Sequence, residues 1–130
     1  MKILVVDDDA IVIKSCKRIL EAEGFEVSTV PSAEHALEAI KNYDFDLLLI
    51  DVKMPKRDGM YLMREVKKSR PEVPIIIMSG YPTPETIADV LNLGANLFIP
   101  KPFGPDELMK SVRQVLKNVP TKKSFSTGAE

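Results

Sequence analysis

The sequence predicts an α/β fold in which five parallel strands alternate with five helices and the helices cover both faces of the sheet. Three observations predict it. Apolar runs of strand length alternate with stretches of helical period five times along the chain. The first, third and fourth runs are almost continuously apolar, as strands covered on both faces must be. Three of the runs also end in charge: Ile3-Leu4-Val5-Val6 runs into Asp7-Asp8-Asp9, Leu47-Leu48-Leu49-Ile50 into Asp51, and Asn96-Leu97-Phe98-Ile99-Pro100 into Lys101-Pro102. In an open parallel sheet, strand ends of one polarity share an edge, and ligands bind there.

Lys2–Val6 is the first strand. Asp9 directly precedes helical Ala10 and suits an N-cap. In the helix that follows, Ile13, Cys16, Ile19 and Leu20 share a face, and Gly24 stands where a left-handed C-terminal cap belongs. Glu26–Val30 is a more polar strand, suited to an edge. Ser32 caps a second helix whose stripe is Ala33, Ala36, Leu37 and Ile40. The third strand, Asp46–Ile50, is followed by a turn-rich loop in which Pro55 fixes one dihedral angle and Asp58-Gly59 supplies a turn. Leu62, Met63 and Val66 mark the third helix, and Val73–Met78 the fourth strand. Thr83-Pro84-Glu85 reads as cap, first-turn proline and acidic first turn of a short fourth helix that Gly94 ends. Asn96–Pro100 is the fifth strand. Pro105 with Asp106-Glu107 starts the last helix, striped by Leu108, Val112, Val115 and Leu116. Right-handed crossovers then place helices on both faces. One domain over residues 1–119 is expected, with 120–130 a polar, aperiodic tail or truncated linker.

Bulk composition narrows the function. The chain has 130 residues, 45% hydrophobic and 28% charged, an ordinary globular balance. Eighteen basic and nineteen acidic residues give a net charge of -1, which argues against direct nucleic-acid binding. No apolar run approaches the roughly 20 residues of a membrane span. Met1-Lys2-Ile3 leads straight into a strand, without a signal-peptide layout, so a cytoplasmic location is expected. Cys16 is the sole cysteine, so no internal disulfide forms.

The strand ends carry the chemistry. Clustered carboxylates cannot all ionise without a counter-charge, and a hard divalent cation supplies one. Asp8, helped by Asp7, is the expected metal ligand. Asp51 can be a ligand or a nucleophile that forms an aspartyl-phosphate. The loop after it can turn the Lys53 carbonyl toward a cation. The Ser79 hydroxyl suits either a bond to nearby backbone or a contact with a phosphoryl oxygen. Pro100 and Pro102 restrict the backbone around Lys101, whose ammonium would pair with Asp51 and, when one is present, with a phosphoryl group. Lys101-Pro102 is a candidate cis peptide. Phe98 reads as an aromatic packed on the sheet and His35 as a surface histidine. No grouping has zinc spacing, and neither a Gly-rich phosphate loop nor a nucleophile elbow occurs.

These motifs, in this order, resemble the receiver domain of two-component response regulators. The match runs from Lys2 to about Val119: the acidic pair after strand one, Asp51 with Met54-Pro55 and Asp58-Gly59, Ser79, and Lys101-Pro102. The resemblance implies a doubly wound, three-layer flavodoxin-like sheet of order 2-1-3-4-5. It implies Asp51 as phosphoacceptor, and Asp7, Asp8, Asp51 and the Lys53 carbonyl around Mg2+, for which Mn2+ can substitute. Ser79 and Lys101 would bind the phosphoryl group, and Phe98 takes the place of the switch aromatic, without a hydroxyl. A sensor histidine kinase or histidine phosphotransferase would be the donor. The face made by the fourth helix, fifth strand and fifth helix would switch, acting on an unknown target or output domain, and the same face would serve a homodimer. Lys53 and Tyr81 would overhang the phosphoryl group and slow its hydrolysis. Ile11 and Val12, off the buried stripe, would join Pro102 and Phe103 in a kinase-docking patch. Beyond self-phosphorylation and slow self-dephosphorylation, no enzymatic activity is implied.

Three other readings compete. A Mg2+-dependent phosphatase with an aspartate nucleophile usually places it after strand one as Asp-x-Asp and carries a cap insertion; here the loops are short. A flavin-binding module needs a hydroxyl- and glycine-rich loop where this chain has three aspartates. A receiver-like module that no longer takes phosphate would have lost side chains that are all present.

Overall fold

In the computed structural model, which describes residues 1–53, 58–80 and 82–118, strands and helices alternate from end to end. The strands are β1 (Lys2–Val6), β2 (Glu26–Val30), β3 (Leu47–Asp51), β4 (Ile75–Ser79) and β5 (Leu97–Pro100). The helices are α1 (Ala10–Ala22), α2 (Ala33–Asn42), α3 (Gly59–Ser69), α4 (Pro84–Asn92) and α5 (Pro105–Asn118). All pairings are parallel and the order is β2-β1-β3-β4-β5. The chain leaves β1 toward β2 and returns past it to β3. This reversal opens a crevice at the carboxyl ends of β1 and β3.

Side-chain alternation along the strands divides the core into two layers. Leu4, Val6, Leu48, Ile50, Ile75 and Ile77 face Ala36 and Ile40 of α2, Leu62, Met63 and Val66 of α3, and Val90 of α4. Ile3, Val5, Leu47, Leu49, Ile76 and Met78 face Cys16 and Leu20 of α1 and Leu108, Met109, Val112 and Val115 of α5. Burying one such aliphatic side chain contributes about 1.5–3 kcal/mol. β3 and β4 are therefore buried along their whole length, and β2, as its polarity predicts, is an edge.

The predicted caps form. The side chains of Asp9, Ser32 and Thr83 accept from the N–H groups of Ile11, His35 and Thr86. Gly24 and Gly94 take positive φ just past α1 and α4. Three strand starts, those of β3, β4 and β5, lie further along than periodicity suggests. Val73 spends its N–H on a turn to Arg70 O and Pro74 has none, so β4 pairing begins at Ile75. Asp46 exchanges hydrogen bonds with the Lys2 backbone just before β3. Asn96 does the same beside β4: its N–H donates to Ile75 O at 2.8 Å and its Oδ1 accepts from Ile75 N at 3.0 Å. Asn96→Ala leaves the Ile75 N–H without its partner, and urea unfolding is expected to show a loss of about 1 kcal/mol; an unchanged midpoint would show that the amide needs no protein partner.

Candidate functional site

The register builds the site. Val6 pairs with Ile50, so the next residue of each chain segment, Asp7 and Asp51, emerges side by side. Asp51 pairs with Met78 and Ser79 with Pro100, which brings Ser79 and Lys101 to the same edge. The Lys101 backbone N–H donates to Ser79 O at 2.8 Å, and the Lys101-Pro102 peptide is cis.

Asp7 is fully buried and both its oxygens are engaged. Oδ1 accepts from the Asp9 N–H at 2.9 Å, and Oδ2 accepts from Lys101 Nζ at 2.7 Å. Asp51 is 5% exposed, with Oδ1 lying 3.4 Å from Lys101 Nζ and 3.4 Å from the Lys53 N–H. The ammonium therefore rests mainly on Asp7 rather than on Asp51, the partner that sequence reasoning assigns. Strand order brings both carboxylates and the lysine to one edge but does not decide between the two acids.

Carboxylate oxygens of Asp7, Asp8 and Asp51 lie within 4.8 Å of one another. Asp8 is exposed, so the cluster opens to solvent on its side. Burial, reinforced by the charge of Asp7, pushes the Asp51 carboxyl up to about 6, against the pull of Lys101 and the Lys53 N–H. Burial works against the charged form of Lys101, but hydrogen bonds and charge from Asp7 and Asp51 outweigh it and hold the ammonium above its ordinary range. Beneath them on α1, burial and then Asp7 raise the Cys16 thiol to about 11, so it stays protonated and unreactive. Three carboxylates against one ammonium leave an excess of negative charge in an all-oxygen donor set. That chemistry fits a hard dication.

Gly59 has a role that the sequence reading misses. Asp58 is the N-cap of α3, its Oδ1 accepting from Tyr61 N at 3.0 Å, and Gly59 is the first helical residue rather than part of a free turn. A Cβ on Gly59 would lie 2.5 Å from Asp51 O and 2.8 Å from Val52 Cα. The helix thus starts hard against the backbone of the acidic strand end. A glycine directly after a capping aspartate was the available signal.

The remaining candidates fall as follows. Ser79 is buried at the end of β4, and Phe98 is half-buried against the α2–α3–α4 layer. Lys53 is exposed. Tyr81 and residues 54–57 lie outside the described residues. Ile11 is 76% exposed and Pro102 is exposed, but Val12 and Phe103 pack against the α1–α5 layer. Val12 stands one turn before Cys16 and so shares its stripe, which corrects its placement off the buried face. His35 is exposed and its Nδ1 lies 2.6 Å from Ser32 Oγ at the α2 cap. Among the described residues, no helix is long and apolar enough to cross a membrane.

Comparison with known proteins agrees with this arrangement. The family model described as the response regulator receiver domain matches residues 3–113. The cell cycle response regulator CtrA of Brucella abortus (strain 2308) is 31% identical over 117 residues, 90% of this chain and 50% of that protein. The chain thus spans about half the length of the curated relatives it matches. Among solved structures, a CheY-like response regulator receiver domain protein from Methanospirillum hungatei JF-1 shares 38% identity with a TM-score of 0.86, over 89% of this chain and 93% of that one. NtrX from Brucella abortus shares 34% identity with a TM-score of 0.89, over 97% of this chain and 29% of that one.

Proposed function

The chain belongs to the response regulator receiver domain family, and on that premise we propose that it accepts a phosphoryl group on Asp51 from a phosphohistidine of a sensor kinase or histidine phosphotransferase. The observation that carries this reading is a nearly buried carboxylate at a strand end, grouped with two others and 3.4 Å from a lysine ammonium. An ionised Asp51 oxygen attacks phosphorus in line. The new P–O bond forms as the P–N bond to the donor imidazole breaks, and the imidazole keeps the electron pair. Lys101 turns from Asp7 to the phosphoryl oxygens and offsets their charge, and the Ser79 hydroxyl donates to one of them. Mg2+ or Mn2+, held by Asp7, Asp8, Asp51 and the Lys53 carbonyl, would add Lewis-acid neutralisation of the transferring group.

The product carries about 1.5 to 2 negative charges beside Ser79 and Lys101, in place of the single charge of the carboxylate. Ser79 moves toward them, and Phe98, half-buried and without a hydroxyl, follows by packing alone. The α4–β5–α5 face then shifts between two packings. That face is also where a homodimer or an output domain would engage. Lys53 and Tyr81 shield the phosphoryl group from water and prolong its life. Ile11 and Pro102, flanked by Val12 and Phe103, form the donor's docking patch. Residues 1–119 make up the receiver and 120–130 a tail or linker, in a cytoplasmic protein.

Intact-mass spectrometry after acetyl phosphate with Mg2+ tests the assignment. The parent is expected to gain one hydroxylamine-sensitive phosphoryl group, and neither Asp51→Asn nor chelator-treated parent gains any. Equal labelling of Asp51→Asn would overturn it.

A further inference from the structure

α4 is the least anchored of helices α1 to α4. It buries one side chain, Val90, whereas α2 buries three and α3 buries three together with the backbone of Gly59. Its start is well made, with the Thr83 cap, Pro84 and acidic Glu85, but its last turn carries no basic residue. The carbonyl end of a helix has partial negative charge, and a nearby cation stabilises it. α3, by contrast, carries Lys67 and Lys68 in its last turn.

One of these two lysines serves α4 instead. Gly94 is the residue after the α4 C-cap, with φ +108. A methyl group there would lie 2.7 Å from Lys67 Cε, 3.5 Å from Cδ and 3.4 Å from Nζ. The half-buried Lys67 side chain therefore lies across the turn between α4 and β5, in the space that the glycine leaves. Under it, Leu93, Gly94 and Ala95 donate to Asp89 O, Leu91 O and Val90 O, the bonds that close the helix. Glycine is required at this point twice over, by its backbone angle and by the lysine above it.

We propose that Lys67 is a positioning residue for α4: its stem covers Gly94 and its ammonium supplies, from α3, the cation that the carbonyl end of α4 lacks. The clamp ties a weakly buried helix to one with three buried side chains, and the other end of α3 is pressed by Gly59 against the Asp51 backbone. Mobility at the β5 side of α4 is thereby set from α3, independently of any phosphoryl chemistry.

Amide hydrogen exchange on the unmodified full chain tests this, so its outcome is separate from that of the labelling experiment. Lys67→Ala is expected to speed exchange at Gly94 and Ala95 about threefold, with the amides of Ala36 in α2 and of Tyr43 at its C-cap unchanged. Lys67→Arg restores the parent rate. Lys67→Met, which keeps the stem, falls between, and its difference from the parent shrinks in 1 M salt. Unchanged rates in Lys67→Ala, or equal acceleration in α2, would overturn the clamp. Parent-like exchange in Lys67→Met would overturn the part given to the ammonium.

Discussion

Gly59→Ala is expected to destabilise the chain by about 3 kcal/mol, more than the Asn96 substitution. Two effects favour alanine at this position. It restricts the unfolded chain, worth about 0.4–1 kcal/mol, and it is the better helix former. Both are outweighed because the added methyl meets backbone: 2.5 Å to Asp51 O and 2.8 Å to Val52 Cα. A flexible side chain could swing away, but these atoms are backbone of the last residue of a strand buried on both faces and of the residue after it. Relief requires moving the start of α3, which also pulls on the Gly59 N–H bond to Val52 O at 3.0 Å. The strain falls on the residue proposed to take the phosphoryl group, so labelling by acetyl phosphate should slow along with the loss of stability. Urea unfolding at neutral pH measures the first effect and intact mass the second. A variant as stable as the parent would mean that α3 does not abut the strand end.

What the sequence makes legible follows from periodicity and from strand ends. An apolar run four residues long that stops at Asp51 can only be a buried strand with its carboxylate at one edge. Because all five strands run parallel, Asp7, Asp51, Ser79 and Lys101 must share that edge. Helix phase is equally readable: Val12 stands four residues before buried Cys16 and so belongs to its stripe. Contacts made by loops are harder to read. Which carboxylate receives Lys101 depends on where its side chain reaches, and the answer is chiefly Asp7. Gly59 looks like an ordinary turn residue until β3 is laid against it. Lys67 is written like any solvent-facing lysine, and only the turn at Gly94, 27 positions further on, gives its stem a surface. In each case the missing information is a distance between segments remote in sequence.

Asp51→Asn is expected to raise stability in the absence of metal, with a gain that depends on pH. The parent carboxyl titrates at about 6, above its ordinary value of 3.8, chiefly because it is buried and secondly because Asp7 is close. A group whose folded pKa is raised leaves the protein most stable below pH 3.8, where it is protonated in both states. Stability is then lost as pH rises through 6 and Asp51 ionises in the folded chain. By linkage that loss is on the order of 2–3 kcal/mol above pH 7. Asparagine keeps the shape without the charge, and Lys101 keeps its shorter bond to Asp7. The two proteins should therefore melt together near pH 4 and separate by roughly 5–10 °C at pH 7.5. Magnesium chloride should close the gap, since a ligand at a hundred times its Kd stabilises by about 2.7 kcal/mol. It should help the parent more than the variant, which has lost one of three carboxylates. If Asp51→Asn instead melts below the parent at pH 7.5 without metal, attraction to Lys101 governs the cluster and the crowding of its negative charges does not. A dication would then have no excess charge to neutralise.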